Sequence, residues 1–593
     1  MLLFLLLCPS RAATLLVDPL DSAAWPLIQD AIDAAEDGDT IDIAAGTFSE
    51  CLDTSGKDLA LVGVTGETFL DGSSRCDGGL MVVRAGETVS VTGLSVADAT
   101  RIVFLVADST LTLSDVTLDH GEMGATIGGM GVNADNSTLN IFDSNFLSLE
   151  AVSGGAIQAY DTDLTIMGST FEDSLAVYSG GCIYASARGR GVTVSISETR
   201  FEGCWNGLTW DGAGLYLWED DDEDAFSTEL TIEDSAFIAN DTSSSGGGAA
   251  VYGVDQVTVT SSTFEANDAK GSGGGGLYLS DIDALWVEGS SFCGNVGGAG
   301  AGATASYVGS QTWLRNVFQE NSAGSSAGGG LLLSNNGEAS VINNTFVGGE
   351  SGTSSHGGGG GVGVYKTVVN FRNNIVAWST WGDGLYLRDS ASIDAATVTY
   401  NAWYENTEGH ISGTDAFSTT SDGNIEADPA FVDYVLDGDC GDDLHLSEAS
   451  ALVDAGDPSE LDEDGSRVDI GAYGGAPAEE EDTGEDTGAD TGGHTGGHTG
   501  GHTGEDSGED SARDTAETAE TADSQPALDS DPPVDSGPPG DRDPAAQDTG
   551  EPTLDPKTAP SGCCAGSSRA SLTPGLALGL LSLIRRRRRR SAG

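Results

Sequence analysis

Apolar and polar residues alternate in short runs along most of the chain. In residues 277–280, Leu-Tyr-Leu-Ser, every second side chain is aliphatic, which is the period-two pattern of a half-buried β-strand. Leu285 and Val287 form a second inward pair, and Phe292 marks a third apolar site before the next glycine-rich run. The unit lacks the three- and four-residue apolar spacing of a helix, so it predicts three short strands separated by bends.

The same unit recurs along the chain. A phenylalanine, usually two residues after Ser or Thr, repeats at intervals of 25 to 36 residues, at Phe146, Phe171, Phe201, Phe237, Phe264, Phe292, Phe318 and Phe346. A fixed period in this range indicates stacked supersecondary units. With three strands per repeat, the pattern predicts an all-β parallel β-helix whose coils hydrogen-bond to one another at about 4.8 Å. A disordered glycine-rich tract would lack these regular apolar positions.

Glycine and asparagine mark the predicted bends. Glycine runs such as residues 273–276 and 328–330 precede the first strand of several repeats. We expect them at a corner where φ is positive and where stacked coils leave no room for a Cβ atom. At another bend, Asn can adopt the left-handed conformation and bond to a neighbouring amide. This second prediction concerns Asn240, Asn267, Asn295 and Asn321.

Both ends of the repeat region resemble a known group of proteins. Residues 25–35, WPLIQDAIDAA, predict a short helix that covers the open end of the first coil. With GDTIDIAAGTF and GKDLALVG, this segment resembles the opening of pectin-lyase-like right-handed β-helix proteins. Residues 428–432, 443–457 and 468–473 are similar to the closing segment of bacterial β-helix surface proteins. The resemblance implies a single-stranded right-handed parallel β-helix over residues 14–477, with an N-terminal capping helix. It gives no information about activity.

The flanking segments differ sharply from the repeats. Residues 1–13 combine an apolar run with a small-residue cleavage site, which predicts a signal peptide. Residues 478–561 are rich in Asp, Thr, Gly and Pro and have few apolar residues. Such a segment buries too little surface to fold, so we predict a disordered acidic linker.

The C-terminal segment predicts that the protein is anchored at the cell surface. Residues 562–593 combine Cys563 and Cys564 with a short apolar run and six consecutive arginines. This pattern is similar to the MYXO-CTERM type of sorting tail, which implies processing at Cys563 or Cys564 by a sorting protease. A plain membrane-retention helix is the alternative, although the apolar run is shorter than the roughly 20 residues of an ordinary span. We expect a secreted protein anchored at the cell surface or outer membrane, with the membrane contacted only through this tail.

Charge limits the possible partners. The formal net charge is -70, and residues 14–477 alone hold 71 Asp and Glu against 13 Lys and Arg. Nucleic acid is excluded as a partner because its binding depends on phosphate neutralisation by basic residues. Polyanionic glycans would be repelled unless cations bridged them. The composition therefore favours neutral glycans, surface proteins or divalent metal ions.

Two pairs of cysteines are candidates for disulfides. Cys51 and Cys76 are 25 residues apart, so stacking brings them within disulfide distance, although buried free thiols are the alternative. Cys182 and Cys204 occupy different phases of their coils, and their pairing does not follow from the spacing.

Acidic and aromatic clusters supply the candidate binding residues. An inserted loop carries Glu219, Asp220, Asp222 and Asp224, and a later turn carries Asp462 and Asp464. Carboxylates in such segments suit Ca²⁺. The alternative is that these charges are only solvated. Outward rings at coil spacing can stack on sugars or only on one another. The candidates for such a platform are Trp205, Trp210, Tyr216 and Trp218.

The sequence contains no recognisable catalytic motif. The bases of residues 14–477 are scattered, and no Arg-x-Lys element occurs. Paired carboxylates are too abundant to indicate glycoside hydrolysis. We therefore predict a non-enzymatic display or adhesion protein that contacts glycans or envelope components. A polysaccharide-active lyase or hydrolase with a divergent site, and a spacer without a ligand, are the alternatives.

Overall fold

The computed structural model describes residues 12–474, except 55, 77, 122–127, 208–209, 220–226, 272, 325–327, 353–357 and 415. All but the last two residues of the predicted signal peptide lie outside the described residues. The predicted linker 478–561 and the tail 562–593, with Cys563 and Cys564, also lie outside them.

The described chain winds through about 13 turns, and the turns contribute strands to three main parallel stacks and a shorter fourth one. The first stack contains Leu52–Asp53, Met81–Arg84, Phe104–Ala107, Val132–Asp135, Ile157–Tyr160, Ile183–Ala187, Leu215–Glu219, Ala249–Tyr252, Leu331–Ser334, Gly359–Tyr365, Asp383–Leu387 and Ile411–Ser412. The second stack contains Thr14–Val17, Asp39–Ile43, Leu59–Val62, Thr88–Thr92, Thr110–Ser114, Thr138–Phe142, Asp163–Met167, Thr193–Ser197, Glu229–Glu233, Gln256–Thr260, Glu338–Ile342, Val368–Arg372 and Thr397–Thr399. Two long strands, Leu277–Glu288 and Ala303–Leu314, belong to both stacks.

The third stack closes each turn. It contains Gly46–Phe48, Thr68–Asp71, Ser95–Ala99, Thr117–Gly121, Asn145–Ala151, Thr170–Glu172, Arg200–Glu202, Ala236–Ile238, Thr263–Glu265, Ser291–Cys293, Val317–Gln319, Thr345–Val347, Ile375–Ala377, Ala402–Tyr404 and Ile425–Glu426. A fourth stack of two-residue strands follows it in the middle turns, at Leu175–Ala176, Trp205–Asn206, Asp241–Thr242, Asp268–Ala269, Val296–Gly297, Ser322–Ala323 and Glu350–Ser351. Phe431–Asp433 and Asp443–Leu446 form a separate antiparallel pair. The helices are Ile28–Ala34 and Ser390–Asp394.

Strands of successive turns pair in parallel and in register. Leu111, for example, faces Leu139, which in turn faces Leu164. We call such a set of residues in register a column. Because neighbouring coils lie about 4.8 Å apart, a side chain in one column always meets its equivalents in the coils above and below.

The repeated phenylalanines form one column in the core, as the period predicts. Their rings stack with centroids 4.6 to 5.0 Å apart from Phe146 to Phe346. The predicted inward residues Leu277, Leu279, Leu285 and Val287 are also buried. The predicted break between the two pairs is wrong, because Leu277–Glu288 is one continuous strand that bends at Asp281, where φ is +59°.

The glycine corners match their prediction. Gly246 has a φ of +69°, a conformation that side chains disfavour. A Cβ atom on Gly275 would lie 2.4 Å from the carbonyl oxygen of Val296 and 2.8 Å from that of Ala301 in the next coil. Glycine is therefore required at Gly246 by its φ and at Gly275 by close packing.

The asparagines form a buried ladder, and their predicted left-handed conformation is wrong. The positive φ belongs to the preceding residue, as in Ala266, which precedes Asn267. The side chains of Asn240, Asn267, Asn295 and Asn321 instead point inward, and each Nδ2 donates to the Oδ1 of the next at 2.9 to 3.0 Å. The predicted bond to a neighbouring backbone amide is confirmed, since Asn267 N donates to Asn295 Oδ1 at 3.1 Å.

The first helix covers the start of the core. Ile28 and Ile32 are buried against the first strands. The helix has no side-chain cap of its own, and the Glu50 carboxylate accepts hydrogen bonds from the backbone amides of Ile28 and Gln29, both at 3.0 Å. The helix is shorter than the predicted 25–35, and Trp25, which precedes it, is 39% exposed. Within the described part of the chain, no helix has the length and apolar composition needed to cross a membrane.

Residues 427–474, here called the closing segment, fold back along the outer side of the third stack. Leu444, Leu452 and Ile470 form a second apolar cluster with residues of that stack, such as Ile375 and Ala402. Arg372 holds the segment through Asp457 at 3.3 Å and Glu460 at 2.5 Å. The segment therefore shields the outer side of the last third-stack strands from water.

Glu320 makes the docking of the closing segment dependent on pH. Its Oε2 accepts a hydrogen bond from Gly438 N at 2.6 Å, and burial raises the pKa of its carboxyl, with Asp437 and Asp442 adding to the rise. Because the pKa of Glu320 is higher when the closing segment is docked, the protonated carboxyl favours docking. This stabilisation is complete below the ordinary pKa of glutamate and is lost as the pH rises through the raised pKa.

We therefore expect Glu320→Gln to increase amide protection in residues 431–446 at pH 7 and to leave it unchanged at pH 4. Hydrogen exchange at both pH values checks this, with exposed Glu338→Gln as the matched control. Equal protection of wild type and Glu320→Gln at pH 7 would show that this carboxyl does not oppose docking.

Candidate functional site

Five tyrosines form a continuous row on the outer side of the first stack. We call Tyr160, Tyr184, Tyr216, Tyr252 and Tyr278 the tyrosine face. Successive ring centroids are 5.7, 5.4, 5.8 and 5.4 Å apart. Tyr216 is buried and the other four are half-buried, so the row is partly accessible at the surface.

Strand alternation places these side chains outward. Leu215 and Leu217 flank Tyr216 and are fully buried, so Tyr216 itself points away from the core. Tyr184 and Tyr216 share a column, and Tyr278 continues it after Ala250. Tyr160 and Tyr252 belong to the neighbouring outward column, two residues further along the strand. The row therefore zigzags between two columns over five successive coils.

Polar groups contact the row at Tyr252, its fourth member, and at the Tyr160 end. Tyr252 donates its hydroxyl hydrogen to Asp211 Oδ2 at 2.7 Å, and Ser245 N donates to Asp211 Oδ1 at 2.8 Å. At the Tyr160 end, Gln158 Nε2 donates to the phenol oxygen at 2.9 Å. The Arg188 guanidinium lies 3.8 Å from the centroid of the Tyr160 ring.

The phenols are neutral at neutral pH, since the ordinary pKa of tyrosine is about 10. Burial raises the pKa of four of them further, namely Tyr160, Tyr216, Tyr252 and Tyr278. For Tyr252 the Asp211 carboxylate adds to the rise. At neutral pH these hydroxyls therefore remain hydrogen-bond donors and acceptors.

Comparison with known proteins defines the hand of the coil. A family model described as "Right handed beta helix region" matches residues 101–292 and 181–369. The repeat region is a right-handed parallel β-helix. No curated protein matches the sequence of this β-helix protein.

Several solved structures are similar to part of this chain. The A-module of mannuronan C-5 epimerase AlgE6 from Azotobacter vinelandii is 13% identical, with a TM-score of 0.28, and the alignment covers 65% of this chain and 94% of that one. Pectate lyase Pel9A is 15% identical, with a TM-score of 0.24 and coverage of 78% and 96%. A mutant of the PL6 family alginate lyase AlyGC is 15% identical, with a TM-score of 0.32 and coverage of 71% and 54%. Likeness at this level gives no information on the activity of this chain.

The β-helix brings together two of the four aromatic residues that the sequence singled out. Tyr216 belongs to the tyrosine face, and Trp218 lies in register with Tyr252. Trp210 directly precedes Asp211, is 49% exposed and packs edge-on against Tyr178. Trp205 lies in the fourth stack, in register with Leu175.

Sequence reasoning missed four members of the tyrosine face: Tyr160, Tyr184, Tyr252 and Tyr278. A signal was present, because a tyrosine follows the glycine corner at nearly the same offset in several successive repeats. Aligning the repeats on their glycines, rather than searching for clustered tryptophans, would have identified the row.

The two predicted groups of calcium ligands are described only in part. Glu219 ends a first-stack strand, and Asp220, Asp222 and Asp224 lie outside the described residues. Asp462 Oδ2 accepts from Asp469 N at 3.0 Å, and Asp464 Oδ1 accepts from Ser466 N at 2.8 Å. Among residues that the structure describes, no group of three or more His, Cys, Asp or Glu could hold a metal ion. Calcium binding therefore remains a prediction from the sequence.

Within the described residues, three disulfides cross-link the β-helix. Cys51 pairs with Cys76 and Cys182 pairs with Cys204, with Cα atoms 5.5 and 5.4 Å apart. The second pair forms although its members differ in phase, because residues near 181 lie against the backbone of Trp205. The third disulfide, Cys293 to Cys440, ties the closing segment to the third stack.

Proposed function

We propose that this protein binds an extended neutral polysaccharide along the tyrosine face. The observation that carries the proposal is the row of five outward tyrosines on five successive coils. Four coil steps of about 4.8 Å give the row a length of about 19 Å. Such a row offers repeated, similar contacts to a ligand that is itself a repeating chain.

The chemistry of the face suits sugar rings. A pyranose has apolar C–H faces and a rim of hydroxyls, and tyrosine offers an apolar ring with a polar tip. The rings pack on one another, so they lose little conformational freedom when a ligand binds. The neutral phenols, the Gln158 amide and the Asp211 carboxylate supply hydrogen-bonding groups beside the rings.

Charge favours a neutral chain. Asp211 lies beside the row, and the β-helix as a whole carries a large excess of carboxylates. Arg188 is paired with the ring of Tyr160 at one end of the row. A polyanion would therefore meet net repulsion along most of the face.

Affinity electrophoresis of the full chain in gels that contain neutral or acidic polysaccharides tests the proposal. We expect retardation by at least one neutral polysaccharide, and we expect Tyr184→Ser to weaken it at least tenfold, because a few aromatic contacts dominate binding energy.

Tyr386→Ser is the matched control for this experiment. Tyr386 is also half-buried and lies on the outer side of the first stack, but it follows Gly363 in its column. We expect its replacement to leave retardation unchanged. Retardation of wild type and Tyr184→Ser to the same extent would reject the tyrosine face as the binding surface.

A polysaccharide-active enzyme is the second candidate. The observation that favours it is the pair of Asp211 and Tyr252 beside the row, since a carboxylate can accept a proton and a phenol can donate one. Incubation with the same polysaccharides and Ca²⁺, followed by assays for reducing ends and unsaturated products, distinguishes the candidates. Turnover that is lost in Asp211→Asn and in Tyr252→Phe supports the enzyme, whereas retardation without turnover supports binding alone.

We also propose that the β-helix is displayed at the cell surface. The support comes from the sequence alone, from the apolar run in residues 1–13 and the Cys, apolar and Arg segments of residues 562–593. Protease accessibility of the β-helix on intact cells, compared between the full chain and a Cys563→Ser, Cys564→Ser variant, tests this location.

A further inference from the structure

A depression lies on the outer side of the second stack, on a different side of the β-helix from the tyrosine face. Its volume is about 350 Å³, and its lining includes Gln256, Ala284, Trp286, Ser310, Thr312 and Glu338. This volume is at the small end of the range for ligand pockets, about 300 to 1,000 Å³. The depression is therefore large enough for a small ligand or for the end of a larger one.

Trp286 is an anomaly in its column. The column runs through most of the second stack, and the residues in register with Trp286 are all small: Thr40, Ala60, Ser90, Thr112, Asn140, Thr165, Ser195, Thr231, Thr258, Thr312, Ser340, Asn370 and Thr397. The fold thus requires no large side chain at this position. A half-buried indole beside the small neighbours Ala284 and Ser310 creates the depression.

The indole is held in place by a charged pair. Trp286 Nε1 donates to Glu288 Oε2 at 2.8 Å, and the other Glu288 oxygen contacts Arg315. The side chains of Glu288 and Arg315 are only 15% and 14% exposed. The indole N–H is therefore already satisfied, the charge of Glu288 is compensated, and the ring is fixed before any ligand arrives.

We propose that this depression is a separate binding site for a neutral pyranose ring, with the indole as its apolar wall. The groups around the indole are the hydroxyls of Ser310 and Thr312, the Gln256 amide and the Glu338 carboxylate. None of the residues that line the depression carries a positive charge, which disfavours acidic sugars. The exposed Glu338 carboxylate and the indole could also attract a cation, so a cationic ligand is the competing outcome of the test. The inference does not depend on the tyrosine face.

Saturation-transfer-difference NMR on the oxidised full chain tests the site. The probes are the methyl glycosides of glucose, galactose, mannose and N-acetylglucosamine, with tetramethylammonium as a cationic probe. We expect ring-proton saturation for at least one pyranoside. Trp286→Thr, which introduces the common residue of the column, should weaken that binding at least tenfold, whereas Trp286→Phe should stay within about threefold, because it keeps an apolar ring.

Tyr184→Ser separates this site from the tyrosine face, and we expect it to leave pyranoside binding unchanged. The proposal is overturned if no pyranoside is saturated, if Trp286→Thr binds as wild type does, or if Tyr184→Ser abolishes the signal. Binding of tetramethylammonium without any pyranoside would also overturn it, by showing a cation site.

Discussion

Phe264→Ala is expected to lower the free energy of unfolding by about 3–5 kcal/mol. Phe264 is fully buried and stacks between Phe237 at 4.9 Å and Phe292 at 5.0 Å. Because inter-coil hydrogen bonds fix the spacing of the backbone on both sides, the neighbouring rings cannot close the cavity that alanine would leave. Urea denaturation followed by far-UV circular dichroism measures the change.

Phe69→Ala is the control for this substitution, since Phe69 is 37% exposed on the same kind of coil. Its replacement should lower the free energy of unfolding by less than half as much as Phe264→Ala does. Equal losses for Phe264→Ala and Phe69→Ala would contradict the assignment of the phenylalanine column to a close-packed core.

Asn295→Leu is expected to lower the free energy of unfolding by a similar amount, about 3–5 kcal/mol. Each buried polar group left without a partner destabilises the fold by about 1–3 kcal/mol. Asn295 Oδ1 accepts hydrogen bonds from Asn267 N at 3.1 Å and Asn267 Nδ2 at 2.9 Å. Asn295 Nδ2 donates to the carbonyl oxygen of Phe264 at 2.8 Å. Leucine has a similar size but satisfies none of these groups, so the loss is one of hydrogen bonding rather than of packing.

Asn140→Leu gives the matched comparison in the same denaturation experiment. Asn140 is half-buried on the outer side of the second stack, where its Nδ2 donates to Thr112 Oγ1 at 3.3 Å. We expect its replacement to change stability by less than about 0.5 kcal/mol. If Asn295→Leu were as mild as Asn140→Leu, the asparagine ladder would contribute nothing to the fold.

The repeating core could be predicted from the sequence because its signals are local. Alternation fixes which of Leu277, Tyr278 and Leu279 points inward, and the recurrence of phenylalanine fixes the length of a coil. The continuous strand through the corner was not predictable in this way. Buried Ile282 lies between the two alternating pairs and breaks the simple period, while Asp281 takes the positive φ.

Features that depend on contacts between distant segments could not be predicted. The disulfide between Cys293 and Cys440 joins residues 147 positions apart, and it exists because the closing segment folds back along the third stack. Clustering of Trp205 with Tyr216 along the sequence did not predict proximity, since the two residues belong to different stacks. The tyrosine face could be predicted only in part. Alternation predicts that each tyrosine points outward, but only the register of successive coils places the five rings in one row.

The dependence of affinity on ligand length tests the central claim most directly. Calorimetric titration of the full chain with oligosaccharides of increasing length, prepared from a polysaccharide that it retains, measures this dependence. The tyrosine face predicts that affinity rises with length and levels off once the ligand spans about 19 Å, four coil steps of about 4.8 Å. Affinity that is the same for a monosaccharide and for long oligosaccharides would contradict binding along the row.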